Sequence, residues 1–287
     1  MSFIPEYELK KCIDRYQGDY RVRNFTCREH FNVMSFAQLT GRESLRDIES
    51  CLIAFSSKLY HSGMKTPAAR NTLAKANENR DWRIYADFAQ ILIKKARSLY
   101  FRDNDFRLDI DNMVYAFDSS TINLCLSLFP WAKFHHQKGA VKMHTLLDLR
   151  GSIPVFIHLT DGSVHDVNAL DSLLIEPAAF YLMDKGYVDF YRLFNLIHVK
   201  RAFFVTRAKD NMAYQVEDNF EVDKNAGLIS DQSIRLTGVK SSKLYPDNIR
   251  LVVYEDYASG VVYKFITNDF NLLALTIAEL YRERWKI

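Results

Sequence analysis

Two short apolar segments, each followed by an aspartate, constrain the fold of this chain most. Residues 114–117 precede Asp118, and Phe180–Met183 precedes Asp184. Short runs rich in aromatic and branched residues predict buried β-strands. If the strands are neighbours, the two carboxylates lie close together and repel each other unless cations separate them. Mg²⁺ or Mn²⁺ would suit such a pair, although an aspartate at a strand end is also an ordinary turn former.

The order of predicted elements after about Asn112 indicates one α/β domain. Three consecutive antiparallel strands are followed by alternating helices and strands, which is the order of a ribonuclease-H-like mixed sheet flanked by helices. Periodicity alone leaves other folds open. The predicted strands are 114–117, 141–147, 153–159, 180–183 and 202–206, and the predicted helices are 164–174 and 190–197.

The segment from about residue 208 to residue 263 is predicted to be a β-rich insertion in this domain. It contains short strand-like segments separated by turns at Gly227, Gly238 and Gly260. After them, residues 264–267 can rejoin the main sheet. A last helix can then begin near Asn271 or Thr276.

The preceding residues, 1–105, predict a helical N-terminal domain. Thr26 and Glu29 form a capping-box pattern, and Gly41 and Ser44 mark the end of one helix and the start of the next. Two helices joined by a short glycine turn are typical of a helix-turn-helix that binds DNA, but also of helical domains that bind nothing. Residues 61–80 predict a connecting loop, and a further helix runs from Asp81 to about Tyr100.

Charge is distributed unevenly along the 287 residues. The first hundred residues carry 17 Lys and Arg against 11 Asp and Glu, whereas the remainder is slightly acidic. This favours a polyanion-binding module joined to a carboxylate-rich domain, with an unevenly charged surface as the alternative.

The sequence shows no signal-peptide layout and no apolar run long enough for a membrane span, so we expect a cytoplasmic protein. The four cysteines have no CxxC spacing, which argues against a zinc site.

The last residues indicate one face of a helix. Tyr281 and Arg284 are three positions apart, and the next position on that face falls just past Ile287. With Asp118 and Asp184, this pattern resembles the Tyr-x2-Arg-x3-Glu-x6-Lys signature of the IS-four group of DDE transposases. The blocks that carry the resemblance, in order, are Asp118-Ser119-Ser120-Thr121, the run KGAVKMHTLLD that begins at Lys138, and Asp184-Lys185-Gly186-Tyr187.

The resemblance implies a bacterial insertion-sequence transposase. Asp118 and Asp184 would then be catalytic acids that bind Mg²⁺ or Mn²⁺, and Tyr281 and Arg284 would contact DNA phosphate. The domain 112–287 would be the catalytic core. The partners would be double-stranded DNA at the element ends and target DNA, with a homodimer assembled on the DNA.

The signature's Glu is the third acid of that group, and this chain stops before it. We therefore expect a chain truncated before the third catalytic acid, with impaired strand cleavage and fraying of residues 275–287. The alternative is a non-catalytic DNA-binding remnant, or an inhibitor of the full-length transposase.

Three residues near the second predicted strand are further candidates for DNA contact. Lys138, Lys142 and His144 lie on or beside it, and alternation places Lys142 and His144 on one face. They could contact phosphate near the acids, or they could form a solvated strand face. His165 and Asp166 could form a catalytic pair, but Ser163 followed by Asp166 predicts a helix cap instead.

Overall fold

The computed structural model describes residues 4–100, 108, 110–124, 133–135 and 138–286. Within these residues, no helix is both long enough and apolar enough to cross a membrane. The chain divides into two compact units, Met1–Lys95 and Ala96–Ile287.

The first unit is helical, as the sequence predicts. The Thr26 hydroxyl accepts a hydrogen bond from the backbone N–H of Glu29, whose carboxylate accepts one from the backbone N–H of Thr26, so the capping box is present. The helices are α1 (Glu6–Arg15), α2 (Cys27–Leu39), α3 (Leu45–Ala54), α4 (Arg70–Asn79) and α5 (Trp82–Tyr100).

A tight turn joins α2 to α3. Gly41 adopts a positive φ of 64°, and the Ser44 side chain caps α3 by accepting a hydrogen bond from the backbone N–H of Asp47. Val33 of α2 and Leu52 of α3 are both buried in the same apolar core. The predicted pair of helices is therefore present.

The predicted loop at 61–80 is wrong, because α4 lies within it. This helix buries only Leu73 and Ala76, and its N-cap residue, Ala69, has no side chain that can cap it. Two buried positions and no capping residue give a weak helical pattern.

His30 lies buried in the first unit between two polar partners. Its Nε2 is 2.6 Å from Oδ1 of Asn77 and its Nδ1 is 2.8 Å from the Tyr85 hydroxyl. Burial is the main reason that the pKa of His30 is lowered, because a charged imidazole is poorly solvated there.

In the described part of the second unit, ten strands form one mixed sheet. The strands are β1 (Val114–Leu124), β2 (Lys133–His135), β3 (Lys138–Asp148), β4 (Ile153–Asp161), β5 (Phe180–Met183), β6 (Phe203–Arg207), β7 (Tyr214–Phe220), β8 (Leu228–Leu236), β9 (Ile249–Asp256) and β10 (Val261–Thr267). The helices are α6 (Phe190–His198), α7 (Ser241–Leu244) and α8 (Ala274–Glu283).

The strand order confirms the predicted architecture. β4, β3 and β1 pair antiparallel, and β1, β5 and β6 pair parallel, which gives the order β4-β3-β1-β5-β6. With helices on both faces, this mixed sheet is consistent with a ribonuclease-H-like fold.

The segment predicted as an insertion extends the same sheet. β10 pairs antiparallel with β6, and β9, β8 and β7 follow outward in that order. The strands of residues 208–263 are therefore continuous with the main sheet, although β7 to β9 precede β10 in the chain.

The region between β4 and β5 differs from the prediction. The expected helix at 164–174 is a short 3₁₀ segment, Asp166–Ser172. Ser163 does not cap it; instead the Asp161 side chain accepts the backbone N–H of Ser163 and closes a turn. An aspartate at the end of β4 competes for this local hydrogen bond.

The two faces of the sheet bury separate apolar cores. Tyr115 and Phe117 of β1 face the core that also contains α6. Val114 and Ala116 face the other core, against Ile277 and Leu280 of α8. Alternation along β1 therefore decides which side chains α8 can reach.

A buried ion pair fixes the turn that leads into α8. Arg250 of β9 donates to both carboxylate oxygens of Asp231 of β8, at 2.9 and 2.7 Å. Its Nη1 also donates to the backbone carbonyls of Asp269 and Leu272, at 3.2 and 2.7 Å. The pair thereby joins two strands to the start of the helix.

Candidate functional site

Two neighbouring parallel strands bring Asp118 and Asp184 together. The last parallel pair between β1 and β5 is Phe117 with Met183, and each aspartate is the next residue along the chain. Ala116 and Leu182 both face α8, and residues two positions further along point to the same side. The two carboxylates therefore lie side by side on the α8 face.

The predicted end of β1 at Asp118 is wrong, because the strand continues to Leu124. Burial ends where the prediction placed the strand end: residues 114–117 are buried, and those that follow are half-buried or exposed. The apolar run thus marks the buried half of a longer strand. Its remainder is held by pairing with β3.

The last helix places a hydrogen-bond donor on each acid. The Tyr281 hydroxyl donates to Oδ1 of Asp184 at 3.1 Å, and Nη1 of Arg284 donates to Oδ2 of Asp118 at 2.7 Å. Tyr281 and Arg284 share one helix face because they are three residues apart. The structure therefore assembles four of the predicted site residues in one place.

Arg284 is deeply buried for a charged residue. Only 4% of its side chain is exposed, against 35% for Asp118. Its guanidinium carbon lies 5.2 Å from the centre of the Tyr281 ring and 4.5 Å from that of Trp285. Aromatic faces and one carboxylate thus hold the cation in place.

The expected fraying of residues 275–287 is not supported by the packing of α8. Ile277 and Leu280 of this helix are fully buried, and Tyr281 and Arg284 are almost fully buried. Residue 287 lies outside the described residues.

Arg207 is a site residue that the sequence reasoning missed. Its Nε lies 3.5 Å from Oδ1 of Asp184. It is the last residue of β6, the parallel neighbour of β5, so its side chain reaches the same end of the sheet as the acids. A basic residue directly after the predicted strand 202–206 was the available signal.

Asp184 is held in its ionised form. Burial opposes ionisation, but the backbone N–H of Lys185, the Tyr281 hydroxyl and the charges of Arg284 and Arg207 outweigh it, so the pKa of Asp184 is lowered. Burial raises the pKa of Tyr281 to about 12, so its hydroxyl keeps the proton that it donates.

The donor set fits a divalent cation that prefers oxygen ligands. The two carboxylates are adjacent and partly exposed, so their oxygens could bind one ion between them. Oδ1 of Asp118 accepts the backbone N–H of Ser119, which fixes the carboxylate plane. Among the described residues, this site included, no three His, Cys, Asp or Glu side chains cluster as metal ligands would.

Lys142 and His144 do not lie beside the acids. Asp118 pairs with Thr145 across β1 and β3, so the side chains of residues 144 and 142 point to the opposite face. His144 is fully buried against Phe117, with Nε2 3.0 Å from Oγ1 of Thr160, and burial lowers its pKa.

Lys142 instead binds a local loop. Its Nζ donates to the Val164 carbonyl at 2.8 Å and lies 3.1 Å from Oδ1 of Asp166. Lys138 is the first residue of β3, and its side chain lies outside the described residues. The predicted position near the acids is therefore wrong for Lys142 and His144, because strand alternation places them on the other face.

The candidate site lies in a part of the chain that a known family model matches. The family model described as the transposase DDE domain matches residues 110–287, the part of the chain that contains Asp118, Asp184, Tyr281 and Arg284. The chain belongs to the DDE transposase family. A second model, described as a domain of unknown function, DUF4372, matches residues 1–65 of the helical unit.

Curated relatives of this DDE transposase also carry transposase names. A Sinorhizobium fredii protein named as transposase y4zB is 33% identical over 219 residues, which cover 75% of the chain and 59% of the relative. A Geobacillus stearothermophilus protein named for insertion sequence element IS5377 is 26% identical over 171 residues, covering 59% of the chain and 44% of the relative.

A Synechocystis protein named for insertion sequence element IS4SA is 24% identical over 222 residues, covering 76% of the chain and 59% of the relative. The chain thus spans roughly half to three fifths of the length of the curated relatives that it matches. All three names contain the word transposase, and two of them also name an insertion sequence element.

Proposed function

We propose that this DDE transposase domain cleaves and joins DNA strands for an insertion sequence of the IS-four group. The observation that carries the proposal is the pair Asp118 and Asp184 on adjacent parallel strands, each held by a donor from α8. The substrates would be double-stranded DNA at the element ends and target DNA. In a bacterial cell this activity would take place in the cytoplasm, at the nucleoid.

In this proposal Asp118 and Asp184 hold Mg²⁺ or Mn²⁺. An ion held there would supply activation of the attacking oxygen and stabilisation of the leaving oxygen in phosphoryl transfer. Tyr281 orients the Asp184 carboxylate by donating to one of its oxygens. Arg284 neutralises Asp118, and its planar guanidinium also suits a phosphate oxygen.

We propose that the helical unit binds DNA and that two copies act together on the element ends. The excess of Lys and Arg in the first hundred residues supports DNA binding, because phosphate neutralisation dominates affinity. The short turn between α2 and α3 supports a helix-turn-helix. Holding two ends would require a homodimer on DNA.

The test is nicking of a supercoiled plasmid that carries the DNA flanking the coding sequence, with Mg²⁺ or Mn²⁺. Asp118→Asn and Asp184→Asn should abolish nicking while DNA binding persists. Asp218→Asn, an exposed position on β7, makes the same charge change away from the site and should nick normally. Equal nicking by all three variants would refute the assignment of the acids.

A second candidate is a DNA-binding protein without cleavage activity, such as a remnant or an inhibitor of the full-length transposase. The observation that favours it is that cations already neutralise both acids, since Arg284 pairs with Asp118 and Arg207 with Asp184. Specific binding to element ends with no nicking over a titration of Mg²⁺ and Mn²⁺ would support this candidate. Metal-dependent nicking lost in Asp118→Asn would exclude it.

A further inference from the structure

A basic cavity opens directly beside Asp184. It has a volume of about 270 Å³ and lies where β6 ends next to the start of β10. Among the described residues, four cationic residues contribute to its lining: Lys185, Arg207, Lys209 and Lys264. We call this site the basic notch. Lys185 follows Asp184 in the chain, and Arg207 pairs with Asp184, so the notch is continuous with the acid pair.

The charges of the notch are only partly compensated within the protein. Asp210 is the carboxylate among its described lining residues, and its Oδ2 lies 3.4 Å from Nζ of Lys185. The Asp210 side chain is 94% exposed, so this contact is a weak surface pair. Nζ of Lys209 donates to the Val188 carbonyl at 2.8 Å, which leaves further donors of that ammonium group for a ligand.

The apolar walls of the notch strengthen the positive electrostatic field of its cationic residues. Met212, Leu251 and Val262 line it beside the cations. Concave sites that combine one sign of charge with apolar walls concentrate the field on small anions. Pockets for drug-sized molecules usually measure about 300–1,000 Å³, so this volume suits a phosphate group better than a whole nucleotide.

We propose that the basic notch binds backbone phosphates of the DNA strand that flank the phosphate at the acid pair. This inference rests on the proposed function, because it assumes that a DNA strand lies at Asp184. A strand of duplex DNA carries a phosphate about every 3.4 Å along the axis, so a strand at Asp184 brings further phosphates to the adjoining surface. Lysine ammonium groups contact such phosphates without reading sequence.

Asp210 gives the proposal a distinctive consequence. The carboxylate competes with phosphate for Lys185, so removing its charge should strengthen DNA binding. Lys185→Gln and Lys264→Gln should weaken it. Lys243→Gln, an exposed lysine on α7 that does not line the notch, is the matched control.

The experiment measures fluorescence anisotropy of a labelled duplex from an element end, with EDTA present to prevent cleavage. Lys185→Gln and Lys264→Gln should each reduce the slope of log affinity against log salt by about one. If a variant has lost one phosphate contact, the ratio of wild-type affinity to variant affinity should fall about threefold between about 50 and 200 mM salt. Asp210→Asn should bind more tightly than the wild type, and Lys243→Gln should match it.

The outcomes separate this inference from the proposed function. If the wild type binds the duplex but both notch lysine variants behave like Lys243→Gln, the notch does not contact phosphate while the proposed function stands. Weaker binding by Asp210→Asn would also overturn the inference. If the wild type binds no element-end DNA, the proposed function fails first.

Discussion

The buried pair of Asp231 and Arg250 leads to a specific prediction about stability. Their side chains are 5% and 6% exposed, so neither charge is solvated if the other is removed. Arg250→Met leaves the Asp231 carboxylate buried without its partner, and it also removes the donor to the Asp269 and Leu272 carbonyls. Breaking a buried pair in this way costs about 3–5 kcal/mol.

A domain of about this size shifts its Tm by about 2–4 °C per kcal/mol, so the Tm of Arg250→Met should fall by about 6–20 °C. The double variant Asp231→Leu with Arg250→Met removes both charges. It should recover about 2 kcal/mol or more relative to Arg250→Met alone, because no unpaired carboxylate remains. It should stay below the wild type, since the two carbonyls still lack their donor.

The assay is urea unfolding followed by circular dichroism, with amide exchange in β8 and β9 to assign the transition to residues 96–287. Asp231→Leu alone completes the double-mutant cycle. The reasoning is refuted if Arg250→Met costs less than about 1 kcal/mol, or if the double variant loses the sum of the two single losses.

Three further predictions concern single positions. Leu280→Ala should destabilise the second unit by about 2–5 kcal/mol in urea unfolding because Leu280 is fully buried, whereas Leu273→Ala, at an exposed position, should cost little. Thr26→Ala removes the α2 cap and should cost the first unit about 1 kcal/mol; an unchanged urea midpoint would contradict the capping role. The lowered pKa of His30 means that the unfolded chain binds its proton more readily, so stability should fall as the pH drops below about 6.5. His30→Gln should lose less stability than the wild type between about pH 8 and pH 5, and equal losses would exclude His30 as the cause.

The sequence predicted the central part of the fold because strong local patterns coincide there. The apolar runs before Asp118 and Asp184 have the length and residue types of buried strands. α4 was missed because it buries only two residues and its N-cap residue, Ala69, has no side chain that can cap the helix. The sequence also predicted that residues 264–267 rejoin the main sheet, and the pairing of β10 with β6 confirms it. The addition of β9, β8 and β7 beyond β10 could not be predicted, because pairing between distant strands is set by three-dimensional packing rather than by local pattern.

The candidate site was predictable in part for the same reason. Helical spacing predicted that Tyr281 and Arg284 share one helix face, and the resemblance of their motif to the family signature predicted that they lie near the acids. Lys142 and His144 required knowledge of the register between β1 and β3, which determines the face on which each side chain lies. A shift by one residue would have placed both beside Asp118.

The pairing of β6 with β10 has a consequence for synthesis of the chain. When residues up to Arg207 have left the ribosome, β6 can pair with β5 on one side only. Its other edge has no partner until Val261–Thr267 has been made. During that interval the nascent sheet exposes an apolar strand edge, which is a typical starting point for aggregation. Slow translation or cleavage between these two strands should therefore reduce the yield of folded protein more than the same event after β10.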